Sequence, residues 1–320
     1  MKRFAVLSAI VAGGITAATV MAQGLPGPEP IEKISDNLYK IFGGGGNTTV
    51  FIRDDGVVLV DTKVPGNGEA ILAEVRKVTD LPVTLIVNTH SHPDHLGSNA
   101  FFRENGATVD IVTHRNAAAS ASSGPFANPA GAANITYDKF ASLGTGRNRV
   151  DLHYFGPAHT NGDTFVVFPS ERAMVTGDVM AWDMGAVIDT ASGGSALEMP
   201  ATLDRAVQAF EGNIDTVIEG HGKVDDWQTF LGYVGYTHKI VEVARKGVAE
   251  GLNYVEAYDK YFATDPRMSA YTGENLMKGL EYGGTPKTRT LNNLFIAMEQ
   301  LKGVPVPLTM MAPPPPAASE

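Results

Sequence analysis

The chain has 320 residues, 43% of them hydrophobic and 19% charged, with a net charge of −10 and no cysteine. That apolar content supports a sizeable core and excludes global disorder. The missing thiols exclude disulfides, thiolate metal sites, iron–sulfur clusters and a cysteine nucleophile, and an acidic chain without a Lys/Arg cluster is not built for a nucleic-acid partner.

Lys2 and Arg3 precede an apolar, small-residue stretch (4–20) that ends in Val20-Met21-Ala22. This is the pattern of an export signal over residues 1–22, with Gln23 as the mature start. An uncleaved anchor is the alternative, but the stretch is short and rich in Gly, Ala and Thr. Export predicts a periplasmic protein with no membrane attachment after cleavage, and no second apolar run is long enough to span a bilayer. The absence of cysteine fits an oxidising compartment.

Residues 23–35 read as an extended leader. Short apolar runs at 37–42, 48–53 and 57–60 read as strands, with Asp54-Asp55-Gly56 as a hairpin turn. Ile71, Leu72, Val75 and Val78 have helical spacing within 68–79. Residues 82–88 (PVTLIVN) read as a buried strand, 96–104 as a helix and 108–112 as another strand. Residues 116–148, rich in Ala, Ser, Gly and Asn, suggest a long irregular insertion of the lid or binding-loop kind. Strands resume at 150–154, 164–168 and 173–176. A helix over 200–210 and a strand over 216–219 follow, and the pattern is helical from Val224 to about Leu301. The predicted organisation is therefore one α/β domain over 36–226, a helical C-terminal extension over 227–302, and a disordered tail over 303–320 that contains Pro313 to Pro316.

Eight histidines are present, and three of them fall in Thr89-His90-Ser91-His92-Pro93-Asp94-His95. The motif follows a buried strand and opens a helix, which is where α/β proteins build sites. Three imidazoles and a carboxylate so close together suit zinc and similar ions better than core packing. His90 and His92, two apart on an extended turn, can face one side. Asp94 and His95 can face a neighbouring site, so the motif offers ligand pairs for two metals. His159, Asp178 and His221 each follow a predicted strand and have a glycine nearby, where the backbone can approach closely.

In these motifs the chain resembles the metallo-beta-lactamase superfamily, over about Lys33 to Asp226. His-x-His-x-Asp-His is intact, and the later His, Asp and His follow in the family's order. The resemblance implies an αββα sandwich of two mixed sheets with outer helices. It implies a first metal on His90, His92 and His159, a second on Asp94, His95 and His221, and Asp178 bridging both. It implies a binuclear zinc hydrolase in which a metal-activated hydroxide attacks the carbonyl of a small-molecule substrate, with Asp94 orienting the hydroxide or relaying its proton. Imidazole and carboxylate also accept iron and manganese.

Asp178 is a departure from the best-known zinc beta-lactamases, which usually carry cysteine or serine there. Aspartate is the choice of glyoxalase II enzymes and lactonases. The export signal points away from a cytosolic glutathione thioesterase and towards a cyclic amide or ester, a β-lactam or a lactone. The rivals are a glyoxalase II-like thioester hydrolase, for which Lys239, Arg245 and Lys246 are a weak match, a mononuclear iron persulfide dioxygenase, and a non-catalytic metal-binding protein. Asp61 resembles the family's buried supporting aspartate, or caps a turn; Thr89 and Asp163 are weaker supports of the same kind. Candidate pocket-wall residues are Trp182, Met184, Phe126 and Tyr137, with ordinary packing the preferred reading for the last two. Lys63, Arg115 and Lys223 are candidates, by sequence proximity alone, to grip a substrate carboxylate. His114, His153 and His238 read as structural or surface groups. The sequence leaves the oligomeric state open.

Overall fold

The computed structural model describes residues 27–105, 108–123, 129–275, 284–307 and 313. The export signal, the candidate wall residue Phe126 and most of the proline-rich tail lie outside them. By its internal contacts the chain divides into two units, Met1–His153 with Val166–Glu171, and Tyr154–Phe165 with Arg172–Glu320.

In the first unit the short apolar runs form a sheet of order β1-β2-β3-β4-β5-β6-β7. Its strands are β1 (Glu32–Lys33), β2 (Leu38–Ile41), β3 (Thr48–Arg53), β4 (Gly56–Val60), β5 (Val83–Val87), β6 (Asp110–His114) and β7 (Ile135–Tyr137). Asp54 and Asp55 make the hairpin turn, because Arg53 pairs with Gly56. The leader contributes β1, which pairs antiparallel with β2. From β4 onward the pairing is parallel. That requires crossovers, supplied by α1 (Gly68–Val75), α2 (Pro93–Leu96), α3 (Asn99–Asn105) and α4 (Arg115–Ser123). Helix α1 buries Ile71 and Val75, one turn apart, in a core with Val50, Leu59, Ile86 and Ile111. The two-faced burial of β4 explains its unbroken apolar sequence, which β5 interrupts only at half-buried Thr84.

The expected irregular insertion is a misreading. Residues 116–148 contain most of α4, a 3-10 turn at Pro129–Gly131, β7, and β8 (Phe140–Leu143), which pairs antiparallel with β9 (Val150–His153). The alanines that looked like low complexity are good helix formers, and Ala117 and Ala121 are the buried stripe of α4.

After β10 (Phe165–Phe168) the second unit continues with β11 (Ala173–Gly177), α5 (Met199–Phe210), β12 (Thr216–Glu219) and β13 (Val224–Asp226). β12 runs parallel to β11 and antiparallel to β13. β13 corrects the expectation of helix from Val224 onward. Asp226 then caps α6 (Trp227–Glu250) by accepting from the Thr229 amide at 2.8 Å. Helix α7 (Tyr254–Ala257) runs into a π turn, Tyr258–Phe262, and α8 (Pro286–Leu301) starts at a Thr285/Thr288 capping box. The predicted disordered tail is partly placed: Thr190 donates to the carbonyl of Val306, and Tyr254 to that of Pro313. No helix among the described residues is long and apolar enough to cross a membrane.

Candidate metal centre

Four of the seven candidate ligands come in the stretch that follows a strand, and His92, Asp94 and His95 come at the N-cap and in the first turn of the helix after it. His90 follows β5, His159 follows β9, Asp178 follows β11 and His221 follows β12. In the first unit the chain leaves β5 extended, and Pro93 starts α2 with His92 at its N-cap. This brings three imidazoles together: the ring centre of His90 is 4.7 Å from that of His92 and 4.2 Å from that of His95. Asp94 Oδ2 lies 3.7 Å from His95 Nε2.

The buried carboxylate of Asp61 organises this cluster. It accepts the Thr89 amide on Oδ1 at 2.8 Å, and the Thr89 hydroxyl and His95 Nδ1 on Oδ2, both at 2.7 Å. A carboxylate of this kind only accepts, so His95 carries its proton on Nδ1. The Thr89 hydroxyl spends its proton on Asp61, so His90 Nδ1, 3.0 Å away, must donate to it. Both rings are thereby left with Nε2 as the ligand atom. Asp61 thus bonds the residues around the histidine motif rather than capping a turn of its own.

The second unit repeats the device with other atoms. His159 Nδ1 donates to the carbonyl of Val187, again leaving Nε2. Asp178 Oδ2 stands between two imidazoles, 3.9 Å from His159 Nε2 and 3.5 Å from His221 Nε2. Gly220 makes room for it, since a Cβ there would lie 2.1 Å from Asp178 Oδ1. His221 is stacked under Trp182, ring centres 4.1 Å apart. Asp163 holds the turn after His159 by accepting the amide and hydroxyl of Thr160. The donor set fits a divalent metal such as zinc: imidazoles whose second nitrogen is fixed by an acceptor, together with carboxylates.

His114 is the contrast. Its Nε2 donates to the carbonyl of Asp138 and its Nδ1 accepts from the Asn116 amide, so neither nitrogen is available to a metal. His153 lies against Phe140 and His238 pairs with Asp204 on the surface. Tyr137 packs its ring against His114. Asp183, Glu219 and Asp225 form a further acidic group. Lys223 answers it at 3.0 Å from Asp183 and 3.1 Å from Asp225. Burial, then the carboxylates of Asp183 and Asp225, push the Glu219 carboxyl well above the usual range.

Of the three candidate carboxylate grips, Arg115 and Lys223 stand in surface ion pairs and Lys63 is closed off. Arg115 pairs with Asp138, Lys223 is engaged as above, and Lys63 is fully buried. Lys63 Nζ donates to the carbonyls of Ile41 at 2.7 Å and Gly46 at 2.9 Å, pinning the glycine loop whose Gly46 amide bonds the carbonyl of Asp94. Burial lowers the Lys63 ammonium to about 7, against a smaller upward pull from Asp61. At Lys63 the folded chain therefore holds less proton than the unfolded chain between about pH 7 and the ordinary lysine value of 10.5, and the contribution of this group to stability rises with pH across that window. In paired melting curves, the wild-type melting temperature should climb relative to Lys63→Met as pH goes from 7 to 10. A constant difference would refute the linkage.

Sequence reasoning missed Glu219 and Arg289. Glu219 ends an apolar strand, and Arg289 lies in α8, fully buried, where burial lowers its guanidinium to about 10 against the pull of Asp178. A charged residue inside an otherwise apolar pattern was the only available signal for either.

Two mixed sheets with helices therefore carry, in each unit, imidazoles and carboxylates of metal-ligand type just after strand ends. The family model for the metallo-beta-lactamase superfamily matches residues 41–221, and the chain belongs to that superfamily. It is 26% identical over 231 residues to metallo-beta-lactamase type 2 of Elizabethkingia meningoseptica, covering 68% of this chain and 87% of that protein. It is also 26% identical over 230 residues to metallo-beta-lactamase IND-1 of Chryseobacterium indologenes, covering 67% and 87%. Among solved structures it resembles a metallo-beta-lactamase from Pontibacter korlensis, with TM-score 0.56, 20% identity, and coverage of 66% of this chain and 99% of that one. The mono-zinc form of FIM-1 from Pseudomonas aeruginosa gives TM-score 0.56 at 16% identity, covering 67% and 97%. At these identities the structural likenesses carry the fold, the αββα class expected from the sequence.

Proposed function

We propose that the chain is an exported binuclear zinc hydrolase that opens a cyclic amide or ester, a β-lactam or a lactone. His90, His92 and His159 would hold one zinc and Asp94, His95 and His221 the other, with Asp178 shared. The observation that carries this reading is Asp178 standing between His159 and His221, with the Nδ1 proton of His159 already committed to the carbonyl of Val187.

Bound zinc supplies Lewis acidity and lowers the pKa of a water from about 15.7 towards 7. The chain supplies the rest. Asp61, Thr89 and the carbonyl of Val187 keep Nε2 of His90, His95 and His159 free of protons. The Asp94 side chain, 32% exposed beside fully buried His95, is placed to hold or pass a proton at its carboxylate. Of the three residues weakly matching a glutathione site, Lys239 lies 3.2 Å from Asp265 and Lys246 lies 2.7 Å from Glu242.

Metal content per chain, purified without added metal or chelator, tests the proposal together with a lactone, lactam and thioester turnover panel. About two zinc ions with lactone or lactam turnover is the expected result. One iron and little zinc would move the chain to oxygen-dependent sulfur chemistry. A well-metallated chain inactive on the whole panel would make it a binding protein.

A further inference from the structure

The segment from Asp178 to Ile188 carries three groups that the proposed metal site uses. Asp178 is at its start. Trp182 lays its indole on the His221 imidazole at an interplanar angle of 27°. Val187 offers the carbonyl that takes the Nδ1 proton of His159. The segment has almost no regular structure of its own, only an isolated bridge between Ala181 and Met184. It also passes through two successive residues with positive φ, Trp182 at 59° and Asp183 at 54°. Side chains other than glycine rarely adopt that conformation, which persists only where the surroundings impose it.

The surroundings that impose it come from residues close to and beyond His221. Glu219 Oε2 accepts the Trp182 amide at 2.6 Å. From α6, the Tyr233 hydroxyl accepts the Ala186 amide at 3.2 Å. Gly185 sits so tightly against α6 and α8 that a Cβ there would lie 2.2 Å from the Tyr236 hydroxyl and 2.7 Å from Asn293 Nδ2. Asn293 in turn donates to the Tyr236 hydroxyl at 3.1 Å, joining the two helices at this point. Tyr233 and Tyr236 also continue an aromatic stack onto Tyr271.

We propose that α6 and α8 are positioning elements of the metal site: through Tyr233, Tyr236 and Asn293 they clamp residues 182–187, and so fix the orientation of His221 and His159. The proposal rests on the reading of those two histidines as ligands. It gives the helices beyond residue 221, where the family match ends, a task in the chemistry rather than in bulk stability alone.

The test uses the full chain in a Trp227→Phe background, which leaves Trp182 as the single tryptophan of the two present. Zinc affinity is measured by chelator competition, Trp182 emission is followed as zinc is added, and melting is recorded for the metal-free protein. Gly185→Ala should weaken zinc binding by about 10- to 100-fold, the range typical for lost ligand support, and should alter the emission response, with the metal-free melting temperature recording separately how much the overpacking costs the fold. Tyr233→Phe, which removes one oxygen, should weaken binding by a smaller factor and keeps the test decisive if the alanine variant fails to fold. Gly185→Ala combined with Tyr236→Leu, which withdraws the colliding ring end, should regain part of the lost affinity. Zinc affinity and Trp182 response within twofold of the parent in a folded Tyr233→Phe or Gly185→Ala chain would overturn the clamp, leaving the ligand assignment standing. Parental zinc affinity in His221→Ala and His159→Ala would instead overturn the ligand assignment, and the clamp with it.

Discussion

Asp178→Asn should be purified with at most about one metal per chain, and its kcat/KM should fall by more than about 100-fold, beyond what losing a merely supporting group does. The substitution preserves shape and removes charge. In the proposed site Asp178 is the anion shared by two cations, 3.9 Å from His159 Nε2 and 3.5 Å from His221 Nε2. Without it their mutual repulsion is met by neutral imidazoles on that side. Buried Arg289 feels the same loss, since Asp178 helps to keep its guanidinium charged. Melting temperature should therefore fall as well, and metal content must be read on protein shown to be folded. Metal analysis with steady-state kinetics on the first substrate found is the check. Two retained metals at parental affinity would remove Asp178 from the bridging role.

The second large effect is expected from Asp61→Asn, which should weaken both metals, each by about 10- to 100-fold. Asparagine tolerates the positive φ of 64° at this position, so the change isolates the hydrogen bonds. Oδ2 now accepts from both the Thr89 hydroxyl and His95 Nδ1. An amide nitrogen in its place donates to both. His95 must then accept on Nδ1 and carry its proton on Nε2. The Thr89 hydroxyl turns to donate to His90 Nδ1, and His90 is reversed in the same way. Turning the amide over instead would set its NH2 against the Thr89 amide. Stepwise zinc release to a chelator distinguishes the outcomes: loss of one metal alone, or of neither, would show that the tautomers are not set through Asp61.

The positions of the candidate ligands were legible because they are local facts. A buried strand, a polar turn and a proline at the first helical position can be read within a dozen residues, and four such strand ends occur in order. The support around them was only half legible. Asp61 lies 28 residues from Thr89 and 34 from His95, and its two roles could not be separated until the register of β4 beside β5 was known. Lys63 was misread because nothing local says that a lysine will fold inward onto two carbonyls. Residues 116–148 were misread because alanine-rich composition looks alike in a loop and in a short helix. Tyr233 and Tyr236 show only core spacing along α6; that they meet the turn after Asp178 depends on contacts some 50 residues apart.

The partition of the chain also bears on the order in which it can fold. The first unit needs Val166–Glu171, and Glu171 accepts hydrogen bonds from Ser35 and Asn37 at the other end of that unit. Made or threaded from its N-terminus, the chain cannot complete the first unit until residue 171 has emerged. By then Tyr154–Phe165 of the second unit is already present and waiting for partners that follow residue 172. The first unit therefore closes only after part of the second has been delivered, the second only after the rest of the chain follows, and their long-range pairings make closure slow.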